Sequence, residues 1–357
     1  MRMTWRTARR RGSAMAVLTS WMLMATSACG SPAARQPTNP ATGTAGPGIE
    51  AHASPSTASV APAVVDPAMA AAPYFYLGGD DRPDPRAIMT ATGVRWFTMA
   101  FVLSHGPCDP QWDGTRPLIG GSDQRTIASI RDGGGDIVVS FGGQSGPWLE
   151  QSCATAAQLA AAYQRVIDAY KLKAIDVDVE GTVYSSPTAQ QRIIDALKIV
   201  RTANAGLTIS VTFPIELSGP DTGMINRAAA SGLVVDCWTA MPFDMDAAGQ
   251  DMGAVTQRLL DQLAAVVQAA YRFSNDQAYR HVGISSMNGI TDAHERVTQT
   301  DFQAMLDYAR RHHLGRLTFW SANRDRSCGA GIPPGENCSG VPQAAWDFTR
   351  IVAQYRG

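Results

Sequence analysis

Two hydrophobic rhythms alternate along most of this chain. Short stretches, either apolar throughout or apolar at every second position, fall at 74–79, 94–103, 136–143, 174–181, 207–215, 234–244, 282–289 and 317–323. Between them apolar residues recur at steps of three and four, most clearly at 123–132, 156–172, 188–202, 255–271, 301–313 and 343–355. In 156–172 the residues Leu159, Tyr163, Val166, Ile167 and Tyr170 fall on one helical face. The first rhythm is that of strands, whose side chains alternate between faces, and the second that of helices. Eight strands alternating with helices over roughly 285 residues predict an α/β fold, a (β/α)8 TIM barrel, which typically needs ~250 residues. A doubly wound open sheet is the rival, but no Gly-rich phosphate fingerprint follows the first strand.

One strand breaks the apolar rule. Ile175-Asp176-Val177-Asp178-Val179-Glu180-Gly181 sets three carboxylates against three aliphatic residues with a period of two. As a strand it would line Asp176, Asp178 and Glu180 along one face, with neighbours ~7 Å apart. An amphipathic surface strand would look the same, but this one lies between two helical patterns and should be covered on both faces. Buried acids in a row repel one another and lose hydration, and catalysis is the usual reason to keep them. In a barrel the C-terminal ends of the strands carry the active site. Glu180, the last side chain before Gly181, would stand at that rim, with Asp178 and Asp176 stepping down inside.

Composition adds limits. The chain has 357 residues, 45% hydrophobic and 17% charged, with a formal net charge of -1, so no electrostatic case exists for nucleic acid. The basic run around Arg9, Arg10 and Arg11 precedes a short apolar segment, 15–28, which ends in Ser27-Ala28 before Cys29. That is a signal peptide over 1–29, too short to span a membrane. Cys29-Gly30 resembles a lipoprotein processing site, so Cys29 is a candidate for lipidation; ordinary cleavage nearby is the alternative. Residues 30–72 are rich in Ala, Pro, Ser and Thr with almost no aromatics, which reads as a spacer ahead of a single domain at 73–357. Export permits disulfides. Cys328 and Cys338 flank a Gly/Pro-rich loop, and Cys108 and Cys153 follow consecutive strands, so each pair is expected to bond. Cys237, inside an apolar strand, is expected to be a buried free thiol. No Cys/His spacing suggests a metal site.

Taken together, these motifs resemble glycoside hydrolase family 18, the chitinases. Asp176-x-Asp178-x-Glu180 resembles the signature at the end of that family's fourth strand. Ser140-Phe141-Gly142-Gly143 is similar to its Ser-x-Gly-Gly motif on the third, and Met241-Pro242-Phe243-Asp244 to a Met-x-x-Asp segment on the sixth. The run from Leu317 to Asp325 is similar to the eighth strand of bacterial members, and Met287, Asp292 and Glu295 sit where a bacterial branch has such residues. The resemblance covers nearly all of 74–357. Two positions depart from it: Lys173 stands where an Asp is frequent, and Phe243 and Met245 flank Asp244 where the family carries a Tyr.

The resemblance implies an exported glycosidase acting on β-1,4-linked N-acetylglucosamine, in which the substrate's own acetamido oxygen attacks the anomeric carbon. Glu180 would be the general acid, Asp178 would orient the acetamido group, and Asp176 would share a proton with Asp178. Asp244 would bind near the cleaved sugar and Trp320 would floor it, with Met241 and Phe243 alongside and Trp148 at outer subsites or serving only as a loop anchor. Trp96 and Trp238, inside strands, read as core. For Ser140, Gly142 and Gly143 tight backbone packing is preferred to a catalytic role. His105 and His294 read as solvated, and Glu216, after the fifth strand, as either a sugar contact or a surface acid. No cofactor is implied, and the chain is expected to act as a monomer, outside the cell or anchored to its surface through Cys29. A non-catalytic glycan-binding protein on the same fold and an endo-β-N-acetylglucosaminidase remain alternatives, because subsite shape lies beyond the motif.

Overall fold

In a computed structural model, residues 67–79 and 81–357 are described. The signal segment, Cys29 and most of the spacer lie outside them. Eight parallel strands follow one another around a barrel: β1 (Tyr74–Tyr76), β2 (Trp96–His105), β3 (Asp136–Gly142), β4 (Ala174–Asp178), β5 (Thr208–Pro214), β6 (Cys237–Met241), β7 (Val282–Met287) and β8 (Arg316–Trp320). After each comes a helix: α1 (Pro85–Thr92), α2 (Ser122–Asp132), α3 (Ala156–Tyr170), α4 (Pro187–Ala203), α5 (Gly223–Ala230), α6 (Met252–Tyr271), α7 (Gln299–His312) and α8 (Asp347–Val352). This is the (β/α)8 TIM barrel that the alternation of patterns predicts. A short hairpin strand, Asp109–Trp112, pairs antiparallel with β2 on the rim.

Local chemistry explains most boundaries. Thr155 and Thr298 close capping boxes with Gln158 and Asp301 at the starts of α3 and α7. Ser186 caps α4 ahead of Pro187, and Asp251 caps α6. Each side-chain oxygen satisfies an N–H that the first helical turn leaves without a partner. Helices α1 and α5 are absent from the sequence reading. For α1 the signals were present: Asp84 as cap, Pro85 at the first turn and Gly93 in the left-handed conformation after the end. For α5 no side chain caps the start, and eight residues give too little periodicity. The helix expected at 343–355 shrinks to α8, because Asp325 accepts the Phe348 and Thr349 N–H groups and fixes the start there.

The aliphatic half of β4 does what its period implies. Ile175, Val177 and Val179 are buried against the helical layer, in one core with Leu159 and Val166 of α3 and Ile193 and Leu197 of α4. The barrel floor is Met69, Ala72, Trp96, Val138 and Ala174. The domain therefore begins before the expected boundary at 72. The alanine-rich turn Met69–Ala71 tucks under the strands, and the Ala72 carbonyl accepts hydrogen bonds from Thr98 and Thr318. Small side chains fit this narrow end, and their likeness to spacer composition conceals them. Beside β1, the Asn323 amide stands in for a ladder pair, accepting from Tyr76 N–H at 2.8 Å and donating to Tyr76 C=O at 3.0 Å.

Candidate active site

The inward positions of β4 hold Asp176 midway down the barrel and Asp178 above it, while Glu180 follows the strand as the residue capping a short helix, Gly181–Tyr184. Asp176 is fully buried and surrounded by donors. Tyr74 Oη and Ser140 Oγ each donate to its Oδ2 at 2.7 Å, and Thr212 Oγ1 and Arg316 Nη1 donate to its Oδ1 at 2.7 and 2.8 Å. The Arg316 guanidinium crosses the lumen from β8, sends Nη2 to Thr98 Oγ1 at 2.6 Å and lies over the Tyr74 ring. Four donors on four strands already occupy its oxygens.

Asp178 and Glu180 lie near enough to perturb one another. Burial, then the charges of Glu180 and Asp176, push the Asp178 carboxyl well above the usual carboxylate range, with Arg316 opposing. Burial and then the charge of Asp244 push Glu180 up to about 7, while its neighbour Asp178 works the other way. Interacting acids titrate as a set, so the pair retains a proton into the neutral range. Asp178 Oδ1 is buried and accepts no hydrogen bond.

The Ser-x-Gly-Gly run earns its glycines through close approach. A Cβ on Gly142 (φ +95) would fall 2.1 Å from the Asp178 carbonyl, and one on Gly143 (φ +90) would fall 2.8 Å from the Phe101 ring. Gly143 N–H donates to Asp178 C=O at 2.9 Å. These residues hold the backbone of β4 at the height the acids need.

Trp320 ends β8 at the rim and is half-buried. It stacks on Phe101 at 5.6 Å and 11° and meets Tyr74 and Tyr76 at 5.9 and 6.0 Å. Met241 is buried at the end of β6, Phe243 is half-buried and Asp244 opens to solvent at the mouth. Partial burial and the nearby Asp292 raise the Asp244 carboxyl, against the hydrogen bond from Ala293 N–H. Phe243 and Met245 bring no hydroxyl to this wall. Trp148 donates Nε1 to Gly143 C=O at 2.7 Å, and a Cβ on Gly181 would fall 3.1 Å from its ring, so it braces the loop beside Glu180. Trp96 and Trp238 are buried, and His105, His294 and Glu216 are exposed. Both expected disulfides are formed, Cys108–Cys153 and Cys328–Cys338, and Cys237 is a buried free thiol. Lys173 pairs with Asp136 at 3.1 Å on the surface, far below the rim.

Tyr74, Phe101 and Arg316 escaped the sequence reading as site residues. Arg316 had a signal: with Thr318 and Trp320 it shares the inward face of β8, where an unpaired cation has no place. Among the described residues no cluster of His, Cys, Asp and Glu could hold a metal ion, and no helix is long and apolar enough to cross a membrane.

Comparison with known proteins agrees with this geometry. No protein-family model matches the chain. It is 25% identical over 283 residues to a probable bifunctional chitinase/lysozyme of Escherichia coli (strain K12), covering 74% of this chain and 32% of that protein. It is 25% identical over 275 residues to endochitinase 11 of Metarhizium anisopliae, covering 71% of this chain and 52% of that one. The chain thus spans about a third and about half of these curated relatives. Among solved structures, the catalytic domain of a hyperthermophilic chitinase from Pyrococcus furiosus superposes with a TM-score of 0.72 at 26% identity, covering 79% of this chain and 93% of that domain. The (β/α)8 barrel carries its carboxylates at the C-terminal strand ends beside an aromatic floor, where barrels of this kind place their sites. In sequence and in fold the chain is thus similar to chitinases.

Proposed function

We propose that this chain hydrolyses β-1,4-linked N-acetylglucosamine oligomers or polymers with retention of configuration. The observation that carries the reading is the placement of Asp178 and Glu180 at the C-terminal end of β4, beside the Trp320 floor. Most glycosidases need a second enzyme carboxylate as nucleophile or base. Asp178, on β4, lies one step below Glu180, and its unpartnered Oδ1 offers an acceptor to an acetamido N–H. The acetamido oxygen then attacks the anomeric carbon as the glycosidic C–O bond breaks, and Glu180 gives its proton to the leaving oxygen. Asp178 stabilises the positive charge that develops on the oxazolinium ring. Water opens the ring at the anomeric carbon, Glu180 takes back a proton, and the product keeps the β configuration. Trp320 offers its ring to the apolar face of the sugar.

Export follows from the signal pattern at 1–29 and the spacer after it, with Cys29 as the candidate anchor and the barrel working as a monomer. The missing Tyr hydroxyl beside Asp244 favours one second reading, a glycan-binding protein that has lost turnover. One assay separates the two: release of N,N′-diacetylchitobiose from chitin oligosaccharides by the full chain and by Glu180→Gln. General acid catalysis is worth ~10²–10⁴-fold, so the variant should lose at least about 100-fold in kcat while still binding the oligomer. Binding without turnover in the wild type would favour the glycan-binding reading. Absence of both would overturn chitin-type substrates altogether.

A further inference from the structure

Glu295 lies in the loop after β7, away from the strand of acids, and is fully buried. Its carboxylate reaches into the loop after β6. Oε2 accepts Asp244 N–H at 2.7 Å, and Oε1 accepts Met245 N–H at 2.8 Å and Ala247 N–H at 3.1 Å. Thr291 Oγ1 completes the set at 2.7 Å on Oε2. The tie is reciprocal, because Ala293 N–H donates to Asp244 Oδ1 at 2.8 Å. The segment held in this way carries two non-glycine residues in the left-handed region, Asp244 at φ 56 and Asp246 at φ 60. Each costs on the order of 1 kcal/mol and persists only where surrounding bonds enforce it. Three N–H groups on one buried carboxylate are such an enforcement.

We propose that Glu295 is a positioning residue: by gathering the backbone of the Asp244 turn it fixes the Asp244 carboxylate at the mouth of the site that Glu180 lines. Its catalytic consequence rests on the reading of Glu180 as general acid. Asp244 is the second cause, after burial, of the upward displacement of Glu180. The other charged groups facing this corner are Asp178 from β4, Asp292 beside Glu295, and Arg324 after β8, which itself faces Asp292, Asp244 and Glu336. None of these takes the backbone N–H groups of the Asp244 turn. Moving Asp244 outward removes a negative neighbour from Glu180, and the Glu180 carboxyl should fall towards the ordinary range.

The direct test is a ¹³C NMR titration of glutamate-labelled full chain, with Glu180 assigned through Glu180→Gln. It is run on the wild type, Glu295→Gln, Thr291→Val, Asp244→Asn and the Glu295→Gln/Asp244→Asn double variant. Glu295→Gln turns an NH2 group towards donors that need an acceptor, and it should lower the Glu180 midpoint by at least about half a pH unit. Asp244→Asn should do the same, and the double variant should go no further. Under the chitinase reading the alkaline limb of kcat moves down with the midpoint, and kcat changes more than KM. An unmoved Glu180 midpoint in a folded Glu295→Gln protein, or additive effects in the double variant, would reduce Glu295 to a structural buttress. If Glu295→Gln does not fold, Thr291→Val decides: a smaller shift in the same direction supports the proposal, and none overturns it. The titration needs no turnover, so a wild type inactive on chitin oligomers would defeat the proposed function without touching this result.

Discussion

Arg316 and Asp176 meet at 2.8 Å across the inside of the barrel, their side chains 4% and 0% exposed. A buried pair of this kind adds little over an apolar pair of the same shape, but breaking it by removing one partner typically costs about 3–5 kcal/mol. Arg316→Met should therefore lower the melting temperature by roughly 6–20 °C, at about 2–4 °C per kcal/mol for a domain of this size. The Arg316→Met/Asp176→Asn double variant should recover part of that loss while remaining poor in turnover, because the ordered layer under Asp178 is gone. Calorimetry on the single and double variants checks the first part. Equal melting temperatures for wild type and Arg316→Met would show that the pair carries no stability.

The acids give stability a pH dependence with a definite sign. Glu180 is pushed up to about 7 in the folded chain, above an unfolded glutamate near 4.3. A raised carboxyl binds its proton more tightly when folded. Its contribution is fully present below the unfolded value and is lost as pH rises through about 7. Glu180→Gln removes this titration. The difference in stability between variant and wild type should shift in the variant's favour by on the order of 3 to 4 kcal/mol between pH 4 and pH 8. Turnover by the wild type should fall over the same alkaline limb, since the acid must hold its proton. Parallel melts at both pH values settle the sign, and a shift in the wild type's favour as pH rises would refute it.

How much of this was legible in the chain depends on where the information sits. The alternation of patterns carries the barrel, since period two and period 3.6 are imposed by backbone geometry alone. Asp176, Asp178 and Glu180 were legible for the same reason: acids on the buried face of a strand contradict their setting. Tyr74 and Arg316 were not, because what makes them site residues is closure of the barrel, which brings β1 and β8 against β4 across more than a hundred positions. Glu295 could be noticed as a motif residue, but its bonds go to backbone N–H groups of another loop, and backbone donors leave no mark in a sequence. The alanines of 70–72 misled in the other direction, since small residues serve a spacer and a narrow barrel floor equally well.

Gly142 separates steric from conformational need. Both Gly142 (φ +95) and Gly206 (φ +84) adopt conformations disfavoured for other residues, but a Cβ on Gly206 meets nothing within 4 Å. Gly206→Ala should cost about 1–2 kcal/mol and leave kcat alone. Gly142→Ala must also displace the Asp178 carbonyl, 2.1 Å from the new atom. A 1 Å misplacement near reacting groups can cost ~10²-fold, so kcat should fall by about that factor. Similar kinetics for the two variants would mean that β3 does not set the height of the acids.

The two disulfides should divide stability from site geometry. Cys108–Cys153 joins positions 45 apart and Cys328–Cys338 joins positions 10 apart. Loop-closure entropy then assigns them about 4 and about 3 kcal/mol respectively. Their surroundings reverse the order for function. The loop from Cys328 to Cys338 receives the buried Arg324 guanidinium on the Gly335 carbonyl, and Arg324 also ties down the carbonyls of Asn288 and Ile290 in the loop after β7. That loop continues into Asp292 and Glu295, which face Asp244. Opening Cys328–Cys338 therefore loosens the mouth of the site through a chain of hydrogen bonds. Cys108–Cys153 is not part of this chain of bonds: Trp148, five residues before Cys153, is held by its own bond to Gly143. Replacing Cys108 and Cys153 by Ser should give the larger drop in melting temperature with KM near the wild-type value. Replacing Cys328 and Cys338 by Ser should give the smaller drop in melting temperature and the larger rise in KM. Melting curves and Michaelis curves on the same protein preparations test both halves, and a KM effect that tracked the stability loss would show that the disulfide loop acts only through global stability.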